Sequence, residues 1–216
     1  MNKLDYKKEY KDLYMPKTKP VFIDVPQIHY VMVEGKGDPN TSLEYKEAIG
    51  ILYAISYTIK MSKMGGNQPD GYFEYVVPPL EGLWFGDEGY FDGQRIVDKN
   101  MFHWYSMIRL PEFVTEEYFE QVKAEVQKKK PELNVGLAQY LTYHEGLCVQ
   151  IMHKGSYDEE VTSVQKMNEF IEEQGYVNDL KEDSLRYHHE IYLSDPRKTK
   201  VENLKTVIRH PIKKKS

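Results

Sequence analysis

Two apolar-rich runs, Val21-Phe22-Ile23-Asp24-Val25 and Ile28-His29-Tyr30-Val31-Met32-Val33, flank Pro26 and predict two strands. The second closes at Glu34-Gly35-Lys36-Gly37-Asp38-Pro39-Asn40, where glycine and proline stop a strand for backbone reasons. The period then changes. Ala48, Ile51, Leu52, Ile55 and Ile59 recur at helical spacing between Ser42 and about Met64, with Thr41 and Glu44 as a capping box and Gly65-Gly66 as the stop. Extended segments follow at Tyr72 to Val77, Leu83 to Phe85 and Phe102 to Leu110. Phe119, Val122 and Val126 mark a linking helix from about Thr115 to Lys130, ended by Pro131.

The order then repeats. Ala138 to Tyr143 predicts a strand, His144-Glu145-Gly146 a turn, and Leu147 to Met152 a second strand. Ser156 with Glu159 opens a helix whose face carries Val164, Met167 and Ile171, ending at Gly175. His189 to Leu193 and Lys205 to Ile208 read as the closing strands. Residues repeat too. Lys36-Gly37 is answered by Lys154-Gly155, Glu74 by Glu190, and Ile108-Arg109-x-Pro111 by Ile208-Arg209-x-Pro211. The spacing between partners shrinks along the chain, which locates an insert in the first half at the polar stretch Gly86 to Asn100. The pattern predicts two strand-helix-strand-strand units with both helices on one sheet face. The expected organisation is a lead-in at 1–20, one domain at 21–212, and a basic tail at 213–216. The domain's halves, 21–112 and 136–212, are joined by a helical linker at 113–135. Residues 1–18, rich in Lys, Tyr and Asp, read as loose.

Composition narrows the class. With 29 Lys and Arg against 34 Asp and Glu, the net charge of −5 weighs against nucleic acid as a partner. No apolar run approaches the ~20 residues of a membrane span, and the polar N-terminus lacks the apolar stretch of a signal peptide. The single cysteine, Cys148, excludes an internal disulfide and a Cys-rich zinc site, so a reducing, cytoplasmic setting is expected. Eighteen tyrosines supply flat contact surface that also carries hydroxyls.

Four segments carry a family resemblance: Val33 to Pro39, Pro78-Pro79-Leu80-Glu81-Gly82-Leu83-Trp84, Glu145 to Gly155, and the run from His189 to Pro211. Together they resemble the GyrI-like small-molecule-binding family over nearly everything after residue 20. The resemblance implies an α+β fold of two pseudo-symmetric halves around a central ligand cleft. The stand-alone branch with these segments is similar to proteins that hydrolyse cyclopropane-bearing DNA-alkylating toxins. The chain shows no helix-turn-helix and so departs from the family's transcription regulators.

Glu190 is the leading candidate for chemistry. The alternation puts His188, Glu190 and Tyr192 on one strand face, and a carboxylate in apolar surroundings suits acid–base work or pairing with a cationic drug. In the GyrI-like regulators the glutamate of the matching Glu-x-Tyr-x-x-x-Pro segment does the latter. Tyr192 joins Glu190 as a catalytic candidate because a phenol can steady developing charge. Trp84 and Trp104 are candidate stacking surfaces, with core packing the alternative. Tyr72, Glu74 and His153 complete the expected ligand-binding set, Glu74 as a second carboxylate across the repeat. His153 also reads as a structural histidine. His188-His189 looks like half a metal site, but no His-x-x-x-His accompanies it, so no metal and no cofactor is expected. Gly35-Lys36-Gly37 is not a phosphate loop, and no Gly-x-Ser-x-Gly is present. The expected partner is a planar aromatic or cationic small molecule, without nucleic acid or membrane, bound by a monomer or weak dimer. Two functions fit: hydrolysis of cyclopropanoid toxins, or sequestration of drugs without turnover.

Overall fold

The computed structural model describes residues 3–66, 68–86, 98–181 and 184–215. Seven strands form one antiparallel sheet: β1 (Val21–Lys36), β2 (Leu80–Gly86), β3 (Phe102–Arg109), β4 (Gln139–Lys154), β5 (Tyr176–Asn178), β6 (His188–Tyr192) and β7 (Lys205–Lys214). Their order is β4-β1-β3-β2-β6-β7-β5, and β4 also pairs with β7. That second pairing closes six strands into a ring, with β5 added on the far end of β7. The halves correspond strand for strand: β1, β2 and β3 answer β4, β6 and β7. The seams between halves are β1 on β4 and β2 on β6. The fold is α+β and barrel-like. The polar insert Gly86 to Asn100 lies mostly outside the described residues.

A six-stranded ring has no room for a helix inside, so the helices sit outside it. Helix α3 (Leu43–Met61) buries Ala48, Ile51, Leu52, Ile55 and Ile59, the stripe its spacing predicts. Its N-cap is Ser42, which accepts from the Tyr45 amide, one residue beyond the expected Thr41. Helix α4 (Glu116–Lys129) starts at the Thr115 cap and buries Phe119, Val122 and Val126. Helix α5 (Glu160–Glu173) lays Met167 and Ile171 on Val149, Ile151 and Ile208. Gly175, at φ +77°, ends it in a conformation that favours glycine.

Three expectations change. Pro26 does not divide a strand, because β1 runs through it. His144-Glu145-Gly146 is not a turn either. Gly146 takes φ +69° inside β4, and the ladder to β1 keeps one register from Val21–Gln150 to Met32–Gln139, so the chain continues without reversing. Residues 3–18 are not loose. Helices α1 (Tyr6–Glu9) and α2 (Lys11–Tyr14) bury Tyr6, Leu13 and Tyr14. Arg209 Nη2 donates to the Leu13 carbonyl, and the Arg109 guanidinium lies 4.4 Å from the Tyr6 ring centre and 4.6 Å from that of Tyr10. These contacts fasten α1 and α2 to the ring.

Candidate functional site

Alternation along β6 decides the site. His189 and Ile191 point into the ring, whereas His188, Glu190 and Tyr192 point outward, where α3 and α5 cover the sheet. Trp84 on β2 and Trp104 on β3 are cross-strand partners on the same outer face. Both indoles depend on glycines. A Cβ at Gly35, opposite Trp104, would meet the indole at 2.3 Å. At Gly82, opposite Glu190, it would meet Trp84 Nε1 at 2.6 Å and the Tyr192 hydroxyl at 3.2 Å.

In the space so made, Trp84 Nε1 donates to the Tyr192 hydroxyl at 2.8 Å, and Tyr192 in turn donates to Glu190. Burial first, and the Glu190 charge second, push the Tyr192 phenol well above its ordinary value, so it stays protonated as a donor. Tyr45, in the first turn of α3, meets Trp104 edge-on at 5.0 Å and Trp84 at 5.9 Å. Tyr157, just before α5, meets Tyr192 edge-on at 5.8 Å and is 38% exposed at the rim. Burial, reinforced by Glu190 and Glu160, pushes the Tyr157 phenol up to about 12. The result is a carboxylate ringed by aromatic side chains, over the seam between the halves.

Glu190 is not alone. His188 Nε2 lies 3.0 Å from Glu190 Oε1 and 3.9 Å from Glu160 Oε2. Glu160, the first residue of α5, is only 8% exposed. Burial and then the Glu190 charge raise its carboxyl well above the usual range. Glu160, His188 and Glu190 each bring one ligand atom within 4.8 Å of the others, the donor set among the described residues that could hold a metal ion. Glu160 was missed in the sequence. Its signal was an acid on the apolar stripe of α5, one turn before Val164.

The structure brings Glu190, Tyr192, Trp84 and Trp104 together. The other three candidates lie elsewhere. Glu74 is on a loop after α3, paired with Lys63. The register opposes Gly82, not Glu74, to Glu190, so counting residues between repeats misplaced the second carboxylate. Tyr72 donates to the Lys60 carbonyl at 2.8 Å and packs on Phe113. His153 is buried between Ser163 Oγ at 3.0 Å and the Ser156 carbonyl at 2.9 Å, the structural alternative's geometry.

Inside the ring lies a second cluster. His189 Nε2 is 3.0 Å from Glu81 Oε2, and its Nδ1 is 3.1 Å from Glu145. Arg209 Nη1 donates to Glu145 Oε2 at 3.1 Å, and Arg209 Nε donates to Gln150 Oε1. Tyr14 and Tyr30 donate to Glu81. Burial disfavours the charge on His189, but Glu145 and Glu81 outweigh it and hold the imidazole at about 9. Burial likewise opposes the Glu145 charge, yet His189 and Arg209 draw it down to about 2. Two carboxylates meet two cations, and the cluster is closed.

Comparison with known proteins fits this arrangement. The GyrI-like small molecule binding domain matches residues 103–213, from β3 to β7. A structure of an uncharacterized conserved protein from Listeria innocua is 49% identical over 98% of this chain and 100% of its own, with a TM-score of 0.90. The chain belongs to the GyrI-like family. Two further structures from Listeria innocua, both named as hydrolases, are 46% and 47% identical over 98% of this chain and all of their own, each with a TM-score of 0.87. Among curated proteins, none matches the sequence. GyrI-like domains bind small molecules, which suits an aromatic-walled site. No helix among the described residues is long and apolar enough to cross a membrane.

Proposed function

We propose that this GyrI-like protein is a hydrolase that opens electrophilic cyclopropanes conjugated to a dienone, the reactive group of cyclopropane-bearing DNA-alkylating toxins. The observation that carries the reading is Glu190: a carboxylate of 14% side-chain exposure, bonded by Tyr192, with His188 Nε2 3.0 Å away, and surrounded by Trp84, Tyr45 and Tyr157. The hydrolase names of the two Listeria chains support it. Flat rings of a substrate stack on the aromatic wall. Glu190 orients a water whose oxygen bonds to a cyclopropane carbon. The ring C–C bond breaks, its electron pair passes into the dienone to give a phenolate, and the water's proton passes through Glu190 to the phenolate oxygen. Ring strain supplies much of the driving force, so positioning and one base suffice.

A second reading keeps the site and drops the chemistry. Glu190 has no lysine or arginine partner among the described residues, so it suits a planar cation held between aromatic faces and sequestered. One experiment separates the two. The protein is incubated with a duocarmycin-type cyclopropane and ring-opened product is followed by mass spectrometry. Multiple turnovers are expected, falling ~10²–10⁴-fold in Glu190→Gln and unchanged in Glu202→Gln, an exposed position outside the site. Stoichiometric binding without product overturns the hydrolase reading in favour of sequestration.

A further inference from the structure

The outer cluster contains a directional puzzle. Asn178 Nδ2 donates to Asn168 Oδ1 at 2.8 Å, which leaves Asn178 Oδ1 as an acceptor. His210 Nδ1 lies 3.3 Å from that oxygen and so carries the donating proton. His210 Nε2 is then the acceptor for His188 Nδ1, 2.8 Å away. The chain of bonds fixes the His188 tautomer and turns the Nε2 lone pair toward Glu190 Oε1 at 3.0 Å and Glu160 Oε2 at 3.9 Å. A lone pair facing carboxylate oxygens is repulsive unless a proton or a metal cation lies between them.

Two further observations point the same way. Glu160 Oε1 is buried with no hydrogen-bond partner, in a residue more than nine-tenths buried. No guanidinium or ammonium among the described residues offsets Glu160 and Glu190, although Arg209 does so for Glu145 inside the ring. The outer polar atoms are arranged for a cation that the protein's own side chains do not provide.

We propose that Glu160, His188 and Glu190 form a binding site for a divalent cation of zinc type. One imidazole nitrogen and two carboxylates suit a borderline metal such as Zn(II). His210 and Asn178 act as positioning residues, holding the imidazole by its other nitrogen in the way that second partners orient metal-bound histidines. Three protein ligands would leave a fourth coordination position for water or for an oxygen of a bound molecule. The site goes beyond the hydrolase reading and does not depend on it, since binding is measured without substrate.

The test uses the full chain, stripped with chelator and titrated with ZnCl₂ by calorimetry and with CoCl₂ by visible absorption. One equivalent is expected to bind, and cobalt is expected to give the d–d bands of a low-coordinate site. Glu160→Gln, His188→Asn and Glu190→Gln should each weaken binding at least tenfold. His210→Phe should weaken it ~10–100-fold as a loss of orientation. His144→Asn, an exposed histidine on β4, should leave it unchanged. Circular dichroism and melting of each variant confirm folding, and the isosteric Glu160→Gln keeps the test valid should His188→Asn fail to fold. Absence of binding up to millimolar metal overturns the proposal and assigns the positive charge to a proton. So does binding that survives the three ligand substitutions, or that falls equally in His144→Asn. Turnover without metal binding would leave the hydrolase reading standing and this one refuted.

Discussion

His188 and His189 are neighbours on one strand, yet they serve opposite sides of the ring. His189 faces inward, where Glu81 and Glu145 are met by His189 itself and Arg209, with Gln150, Tyr14 and Tyr30 completing the hydrogen bonds. His188 faces outward, where Glu160 and Glu190 have an imidazole and phenols but no guanidinium. The proton affinities record the difference. Inside, Glu145 is held down at about 2, whereas outside, burial and Glu190 push Glu160 well above the usual carboxyl range. A closed cluster of this kind is costly to break and holds a fold together, whereas an under-compensated one has capacity left for a ligand.

Breaking the inner side should have the largest effect on stability. Arg209→Leu leaves Glu145 buried without its guanidinium, and stability should fall by ~3–5 kcal/mol. For a chain of this size that lowers Tm by roughly 6–20 °C in calorimetry. Acid offers a milder break. The folded value of Glu145 lies below its unfolded one, so its contribution is present above about pH 4.5 and is lost as pH falls toward 2. Urea unfolding between pH 6 and pH 3 should show the decline, on the order of 3 kcal/mol when complete. In Arg209→Leu the same decline should be shallower. On the outer side, Gly82→Ala forces a Cβ against Trp84 Nε1 and the Tyr192 hydroxyl. Overpacking of this sort costs ~1–3 kcal/mol, and the displaced indole should weaken binding of planar ligands followed by tryptophan fluorescence.

The fold was largely legible because its hydrophobic periods are clean. The α3 stripe from Ala48 to Ile59 and the α5 face from Val164 to Ile171 each appear where spacing placed them. The face of β6 carrying Glu190 and Tyr192 followed from alternation alone. What stayed hidden depends on register and on distance along the chain. Pro26 looked like a strand break, but β1 pairs with β4 on both sides of it, at Val25–Gly146 and Gln27–His144, so the strand runs on past the missing N–H. The repeat matched Glu74 with Glu190 by residue count, and only the ladder shows that Gly82 faces Glu190. Glu160 is absent from any local motif, since a helix N-terminus carries it to the strand nearly thirty residues ahead. The buried role of Tyr6 and Tyr14 was masked by the lysines around them, which stay in water while the rings turn inward.

Strand β6 divides the labour, with its inward side chains securing the ring and its outward ones free for a ligand. Urea unfolding of His188→Asn and His189→Asn, side by side at pH 7, tests it most directly. His189→Asn should lose at least ~3 kcal/mol, because two buried carboxylates lose their shared cation. His188→Asn should unfold within ~1 kcal/mol of the parent protein, as befits a partly exposed side chain. Equal losses in the two variants, or a larger loss in His188→Asn, would contradict it.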